Sequence, residues 1–398
     1  MGVIVDPTPP ARCAPAPATA RRHRVRLAEK VAFLSRPEAY PGRPSPVLTR
    51  ETHMSWVFLA GDEAYKLKKP VRFAFLDYTT IGRRRWACGE EVRLNRRLAP
   101  AAYLGLARLT AEGDRLRLGG PGRVVDWLVW MRRLPEERML DRAIAEGRAG
   151  PRALAGAARL LARFYRDAEP VAADPPVYLA RLAADVRGDA EELSRPRHGL
   201  PAARIEAVAA GLLDALEEAS ATLGHRIQNG RFVEGHGDLR PEHVLLGPRP
   251  MVIDCLEFRR DLRLIDPADE LGFLALECDR LGAPEAGDVF LRAYEAATGD
   301  RPPHEVILLY QGRRALLRAK LAAWHEADPS SQEGARWRRR ALRYLDLAAE
   351  RASRLGSERR SAGIMSSARA RPRDSGAGTP PMRSAGTTPR SRPPSTIG

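Results

Sequence analysis

The sequence predicts an α+β fold of two lobes, a small antiparallel sheet followed by a mainly helical part. Three observations carry this. Residues 46–69 alternate with the period of two that half-buried strands show, and polar turns separate the runs. After Leu140 the apolar residues recur mostly at helical spacing. One strand-rich patch, residues 232–258, interrupts the helices and holds the tripeptide His236-Gly237-Asp238.

Each element follows in order. Residues 26–36 read as a short helix ended by Pro37. Pro46–Arg50, Trp56–Leu59 and Ala64–Lys68 read as a meander, turning at Thr52-His53-Met54-Ser55 and at Ala60-Gly61-Asp62-Glu63. Residues 79–98 read as a helix begun by a Thr79/Thr80 cap. Leu104–Thr110, Arg115–Leu118 and Val124–Arg133 read as further strands, with glycine-rich turns at 112–114 and 119–122. Helices are expected at 151–169, 176–195 and 201–226, and again at 266–282, 284–298 and 303–355. The sheet lobe would span 26–134 and the helical lobe 135–355, joined near Met131–Leu134, with the ligand cleft between them. Residues 1–25 and 356–398 are low-complexity arms. The second has no aromatic residue, so it cannot bury enough apolar area to fold alone.

A chain of 398 residues with 44% hydrophobic content can bury a proper core. No window approaches the roughly 18 apolar residues of a membrane helix, and the first 25 residues lack an apolar signal region. The expectation is a cytoplasmic protein with no membrane insertion. Cys13, Cys88, Cys255 and Cys278 lie far apart without CxxC spacing, which argues for free thiols and against zinc. The net charge of +16 raises the question of nucleic acid. However, residues 1–25 carry a net +3 and residues 356–398 a net +6, so 9 of the 16 charges sit in the arms. Solvated tails explain that charge, with weak nucleic-acid contact by the basic tails as the competing expectation.

The segment His236–His243 resembles the kinase catalytic loop, H-x-D with a metal-binding Asn five residues after the Asp. On that pattern Asp238 orients or deprotonates the attacking hydroxyl, and Arg240 faces the transferred phosphoryl group. His236 anchors loop backbone. Phosphoryl transfer needs such a grouping because its transition state spreads negative charge over three oxygens, so positioning and fixed cations do most of the catalysis. The following strand, Met251-Val252-Ile253, leads into Asp254, a carboxylate suited to magnesium. Asp254 matches the metal-binding Asp of the D-F-G turn, although this sequence reads Asp-Cys-Leu. Glu257 would face the same metal or orient a water. Lys66, on the third strand, stands where a lysine touches nucleotide phosphates. Lys68 points to the same face and competes for that role. Glu91, on the next helix, would pair with the lysine. Thr52 and Ser55 either cradle phosphates or simply close a hairpin turn.

Together these segments resemble the aminoglycoside phosphotransferase-like family of the protein-kinase-like fold. The resemblance is closest to a bacterial group often fused to a P-loop ATPase. It rests on Thr52–Leu59, Tyr65–Pro70, Phe75–Tyr78, Glu91–Pro100, Gly235–Asp238, Ile253–Phe258 and Leu264–Leu271. It implies transfer of the γ-phosphoryl group of ATP, with Mg2+, to a hydroxyl of a polar small molecule. It also implies that Asp269 is the buried acid bracing the catalytic loop. There are three departures. His243 holds the Asn position, and imidazole is a softer ligand than an amide oxygen. No G-x-G-x-x-G joins the first two strands, and no G-x-x-x-x-G-K-[ST] occurs. A nucleotide-binding pseudokinase is therefore the alternative. A cationic aminoglycoside would need an acidic pocket. Asp261, Asp266, Glu270, Glu277 and Asp279 could form one, or could be spent on salt bridges to arginine.

Overall fold

In the computed structural model the described residues are 25–73, 76–326 and 333–369, with side chains described up to 358. The basic arm at 1–24 and most of the C-terminal tail, with their expected nucleic-acid contacts, lie outside them. Helix α1 (Leu27–Leu34) leads into strands β1 (Val47–Glu51), β2 (Ser55–Ala60) and β3 (Glu63–Lys68). A two-residue hairpin, β4 (Arg72–Phe73) and β5 (Leu76–Asp77), precedes α2 (Ile81–Asn95). Then come β6 (Tyr103–Glu112), β7 (Arg115–Leu118) and β8 (Arg123–Arg132). The six long strands form one antiparallel sheet in the order β1-β2-β3-β8-β6-β7.

Strand alternation decides what the sheet offers to each side. In β3, Tyr65 and Leu67 join Leu34, Tyr40, Phe58 and Leu128 in one apolar cluster. Lys66 and Lys68 point the other way, toward α2, as the period of two requires. Helix α2 begins at Thr80, whose side chain accepts the Arg83 N–H at 3.2 Å. Cys88 and Val92 of α2 pack with Tyr103 and Val129, fixing the helix on the face that carries the lysines.

The rest of the described chain is mainly helical: α3 (Leu140–Ala145), α4 (Pro151–Arg166), α5 (Pro175–Leu193), α6 (Ala202–Glu218) and α7 (Ser220–Gln228), then α8 (Pro267–Arg280), α9 (Pro284–Thr298), α10 (His304–Glu326) and α11 (Gly334–Arg369). Proline at the first turn of α4, α5, α8 and α9 costs no hydrogen bond, since that N–H has no helical partner anyway. Between α7 and α8 lie β9 (Val233–Glu234), β10 (Val244–Leu245), β11 (Met251–Val252) and β12 (Leu264–Ile265), paired β9 with β12 and β10 with β11. Helix α8 is buried from Pro267 to Cys278 and packs on α9, α10 and the turn at 241–243.

Two helical expectations need correction. The stretch 303–355 is two helices, α10 and α11, not one. Pro329 lies in the sequence between them, and proline cannot sit in a helix interior without losing a hydrogen bond. The stretch 201–226 divides at Ala219 into α6 and α7. Among the described residues no helix is long and apolar enough to cross a membrane. Cys88, Cys255 and Cys278 are buried free thiols.

Candidate active site

The loop 235–243 is held from below by one carboxylate. Glu270 of α8 accepts the His236 N–H at 2.8 Å and the Gly237 N–H, while Tyr165 donates its hydroxyl to the same group at 2.6 Å. Glycine is required on both sides of that contact. A Cβ at Gly235 would run into the Glu270 carboxylate, and Gly237 has φ +93 with its missing Cβ 2.9 Å from Leu256. The bracing contact expected of Asp269 is thus made by its neighbour. Asp269 faces the opposite side of α8, where Arg313 and Arg314 take it at 2.6 and 2.7 Å. Adjacent helix residues diverge by about 100°, and the sequence alone does not say which of the two acids meets the loop.

His236 has no solvent exposure. Its Nε2 lies 2.9 Å from the Ile253 carbonyl, and its Nδ1 accepts the Asp238 N–H at 3.3 Å. A carbonyl only accepts, so the ring hydrogen sits on Nε2. Burial, with His243 nearby, pushes His236 down to about 4. Because the folded value lies below the unfolded one, this group's contribution to stability is present at neutral pH. It is lost as the unfolded imidazole takes up a proton below about 6.5. We expect about 2 kcal/mol of stability to be lost through His236 between pH 7 and pH 5. Urea unfolding of wild type and His236→Gln at both pH values measures it. Equal losses in the two proteins would clear His236.

Asp238 sits beside Arg240, whose Nε donates to Oδ2 at 3.0 Å while its Nη1 reaches Glu242 at 2.6 Å. Burial works against the Asp238 charge, but Arg240, His243 and Arg318 outweigh it and hold the carboxyl below the usual range. His243 links the Asp238 backbone to Asp254. Its Nδ1 lies 2.8 Å from the Asp238 carbonyl, and its Nε2 is 3.2 Å from Arg240 and 3.6 Å from Asp254.

Asp254 has φ +62, a left-handed conformation that Asp tolerates better than bulkier residues. Three contacts fix the turn. The Asp254 N–H donates to the Tyr103 hydroxyl at 3.2 Å, Cys255 N–H to Asn95 at 2.9 Å, and Leu256 N–H to the His236 carbonyl at 3.0 Å. The Asp254 side chain is left 45% exposed, with Oδ1 2.8 Å from Lys66. Burial disfavours its charge, but Lys66 and His243 hold the carboxyl far below the ordinary range.

Lys66 and Lys68 share Glu91, one on each oxygen, at 2.9 and 2.5 Å. Beyond that they diverge. Lys66 continues to Asp254, whereas Lys68, 1% exposed, continues to Glu257 at 2.5 Å. Tyr78 donates to the same Glu257 oxygen at 2.7 Å. Burial opposes both lysine charges, yet the facing carboxylates raise both well above the ordinary value. Two expectations change here. Lys68 is not a rival for the nucleotide, because it is buried between two acids. Glu257 does not face a cation beside Asp254, because Lys68 and Tyr78 use it. Thr52 is occupied within its own turn, its hydroxyl meeting the Ser55 carbonyl and N–H, each at 3.0 Å. That is the hairpin-closing arrangement rather than a free phosphate cradle.

The residues fit magnesium in one way. Among the described residues no three His, Cys, Asp or Glu side chains form a metal cluster. Asp254 offers the more exposed carboxylate of the two site aspartates. Magnesium is commonly held by one or two carboxylates together with substrate phosphates and water, which suits this donor set. Of the two readings of the later acids, the described residues support salt bridges: Asp266 pairs with Arg226, Glu277 with Arg280, Asp279 with Arg351 and Asp261 with Arg259, while Glu270 holds the loop. Asn95, Arg97 and Tyr103 are contributors that sequence reading passed over, and it weighs Glu270 only as a pocket or salt-bridge acid. Arg97 donates to the carbonyls of Glu234 and Gly235 at 2.8 and 2.7 Å. The spacing of Glu91 and Asn95, four apart on one helix face, was the available signal for Asn95.

Comparison with known proteins shows the family. A family model described as the phosphotransferase enzyme family matches residues 86–309. The chain belongs to that family. An uncharacterized protein of Mycobacterium tuberculosis is 34% identical over 301 residues, covering 71% of this chain and 56% of the relative. The chain thus spans about half the length of the curated relatives it matches. Among solved structures, a choline/ethanolamine kinase family protein from Mesorhizobium loti shares 18% identity, covering 83% of this chain and 93% of that one, with a TM-score of 0.47. The ADP-bound aminoglycoside phosphotransferase APH(2'')-Ib shares 14% identity over 78% of this chain and 95% of its own, with a TM-score of 0.43.

Proposed function

We propose that the protein is an ATP- and magnesium-dependent phosphotransferase that moves the γ-phosphoryl group of ATP to a hydroxyl of a polar small molecule. One observation carries this reading. Lys66 joins Glu91 of α2 to Asp254, and His243 joins Asp254 to the loop bearing Asp238. Four separated segments of the chain therefore converge on one cleft-side carboxylate.

Each group has a task in that reaction. Asp238, ionised at neutral pH, receives the proton of the acceptor hydroxyl. Arg240 is a fixed cation beside it for the charge that develops on the phosphoryl oxygens. Lys66, positioned by Glu91, is the phosphate contact, and Asp254 is the residue that would hold magnesium. Magnesium bound there supplies charge neutralisation to the phosphate oxygens. His236 and Glu270 keep the loop in place.

The test uses purified protein with ATP and a broad panel of hydroxyl compounds. We expect turnover that needs magnesium and falls at least about 100-fold in Asp254→Asn, together with ATP-induced thermal stabilisation that loses its magnesium dependence in that variant. ATP binding that ignores magnesium, with no turnover of any compound, would instead establish a pseudokinase.

A further inference from the structure

Near the catalytic loop, arginines from three helices gather around one tyrosine. Tyr344 of α11 is fully buried and donates its hydroxyl to Glu277 at 2.6 Å. Three guanidinium groups surround its ring: Arg280 of α8 at 5.5 Å, Arg318 of α10 at 5.6 Å and Arg340 of α11 at 5.8 Å from the centroid. Glu277 is the one acid among them. It holds Arg280 at 2.8 Å and lies 3.8 Å from Arg318. Within this ring three cations meet one carboxylate; Asp238 and Glu242 lie in electrostatic range of Arg318 and Arg280, but among the described residues both pair with Arg240 instead. The Nε atoms of Arg318 and Arg340 are buried without a hydrogen-bond partner.

This cluster borders the reacting groups. Arg318 is close enough to Asp238 to help lower its carboxyl, and Arg280 feels Glu242, the partner of Arg240. Arg340 also packs over Trp337, which stacks on His325 at 4.4 Å. His325 in turn meets His53, in the β1–β2 turn, at 5.0 Å. Ring contacts thus run from this cluster through Trp337 and His325 to the β1–β2 turn of the sheet. Arg280 and Arg318 are each about 15% exposed, so they are covered but reachable.

Like charges packed this closely repel, and aromatic contact offsets only part of that cost. A bound anion would relieve the repulsion. Arginine's planar fork suits phosphate and carboxylate oxygens in particular. We infer that the phosphate acceptor is an anionic alcohol, a small molecule carrying a phosphate or carboxylate group besides the hydroxyl that reacts. Arg280, Arg318 and Arg340 bind that anionic group. This rests on the phosphotransferase reading above. In the step, the acceptor oxygen bonds to the γ-phosphorus as its proton passes to Asp238. The bond from the γ-phosphorus to the β–γ bridging oxygen breaks, and its electron pair leaves with ADP.

ATP consumption by the full chain, measured against three acceptor panels, tests the inference. The panels are neutral sugars and polyols, amino alcohols with aminoglycosides, and anionic alcohols in two arms, sugar monophosphates and sugar acids. We expect turnover in one anionic arm, and the active arm identifies the group recognised. In Arg340→Gln and separately in Arg280→Gln, KM for that acceptor should rise roughly 10- to 100-fold, the effect of losing one charge-assisted hydrogen bond, with KM for ATP little changed. Arg340→Lys should recover part of the loss. Using two single variants guards against one of them failing to fold. Turnover confined to neutral or cationic acceptors overturns the anionic acceptor and leaves phosphoryl transfer standing. An acceptor KM that neither Gln variant moves overturns the arginine site. No turnover with any panel overturns both readings.

Discussion

Asp238→Asn lowers the kcat of phosphoryl transfer roughly 10²- to 10⁴-fold, while KM for ATP stays near its original value. The amide keeps the shape of the side chain and can still accept from Arg240, so the loop should hold its backbone contacts to Glu270, His243 and His236. What it loses is a basic oxygen for the hydroxyl proton and the negative charge facing Arg240. The pH profile separates these roles from mere packing. Burial alone would raise the Asp238 carboxyl, yet Arg240 and His243 depress it. The group is therefore ionised from below the usual carboxylate range upward. Activity should stay level from neutral pH into mild acid and fall only as pH drops through that depressed value, with no comparable step in the variant's residual rate. Pre-steady-state measurement is preferable, so that slow product release does not mask the chemical step. A variant within 10-fold of wild type in the chemical step would remove Asp238 as the base.

How much of this was legible in the sequence depended on whether the signal was periodic or paired. Alternation placed Lys66 and Lys68 on one face of β3, and the kinase-like order of elements made Glu91 of the next helix their expected partner. Neither signal says how two lysines divide three carboxylates. That division follows from depth. Lys68 is sealed in with Glu257 and Tyr78, while Lys66 stands at the edge with Asp254. The two acids Asp269 and Glu270 show the same limit, because sequence places both on one buried helix but does not fix which face meets the loop. The acidic residues after Asp254 were open to two readings, a pocket or salt bridges. Glu277 and Asp261 pair locally, with Arg280 and Arg259, but for two others the partners lie far away in sequence, 72 residues for Asp279 with Arg351 and 40 for Asp266 with Arg226. Only the folded packing of α8 against α7, α10 and α11 decides between those readings. The arginine cluster was hidden for the same reason. Arg280, Arg318 and Arg340 come from three helices, and an arginine-rich composition gives no hint that these three meet.

The largest stability effect is expected at Asp269→Ala, a loss of about 3–5 kcal/mol. Asp269 is 1% exposed and lies between two guanidinium groups. Arg314 makes two hydrogen bonds to it, at 2.7 and 3.1 Å, and Arg313 makes one at 2.6 Å. Burial opposes the charge, but the two cations hold the carboxyl below its ordinary range. Alanine would leave both arginines buried, and their remaining contacts compensate poorly. Among the described residues Arg313 otherwise reaches the exposed Asp185, at 3.6 Å, and Arg314 the face of Phe273, at 5.2 Å. Two unpaired buried cations on one helix cost more than the pair contributes when intact, which is why deleting one partner is harsher than replacing the whole set. Asp269→Asn separates shape from charge, since it keeps one accepting oxygen and should fall between wild type and alanine. The sign of the pH dependence follows from the depressed carboxyl. The stability Asp269 provides is present above the unfolded value near 3.9 and is lost as pH falls through the folded one. Wild type and Asp269→Ala should therefore differ most near neutrality and converge in strong acid. Urea midpoints across that range measure both points. A loss under about 1 kcal/mol at pH 7, the size of an exposed ion pair, would mean that the arginines find water and that the α8–α10 contact is not held by this carboxylate.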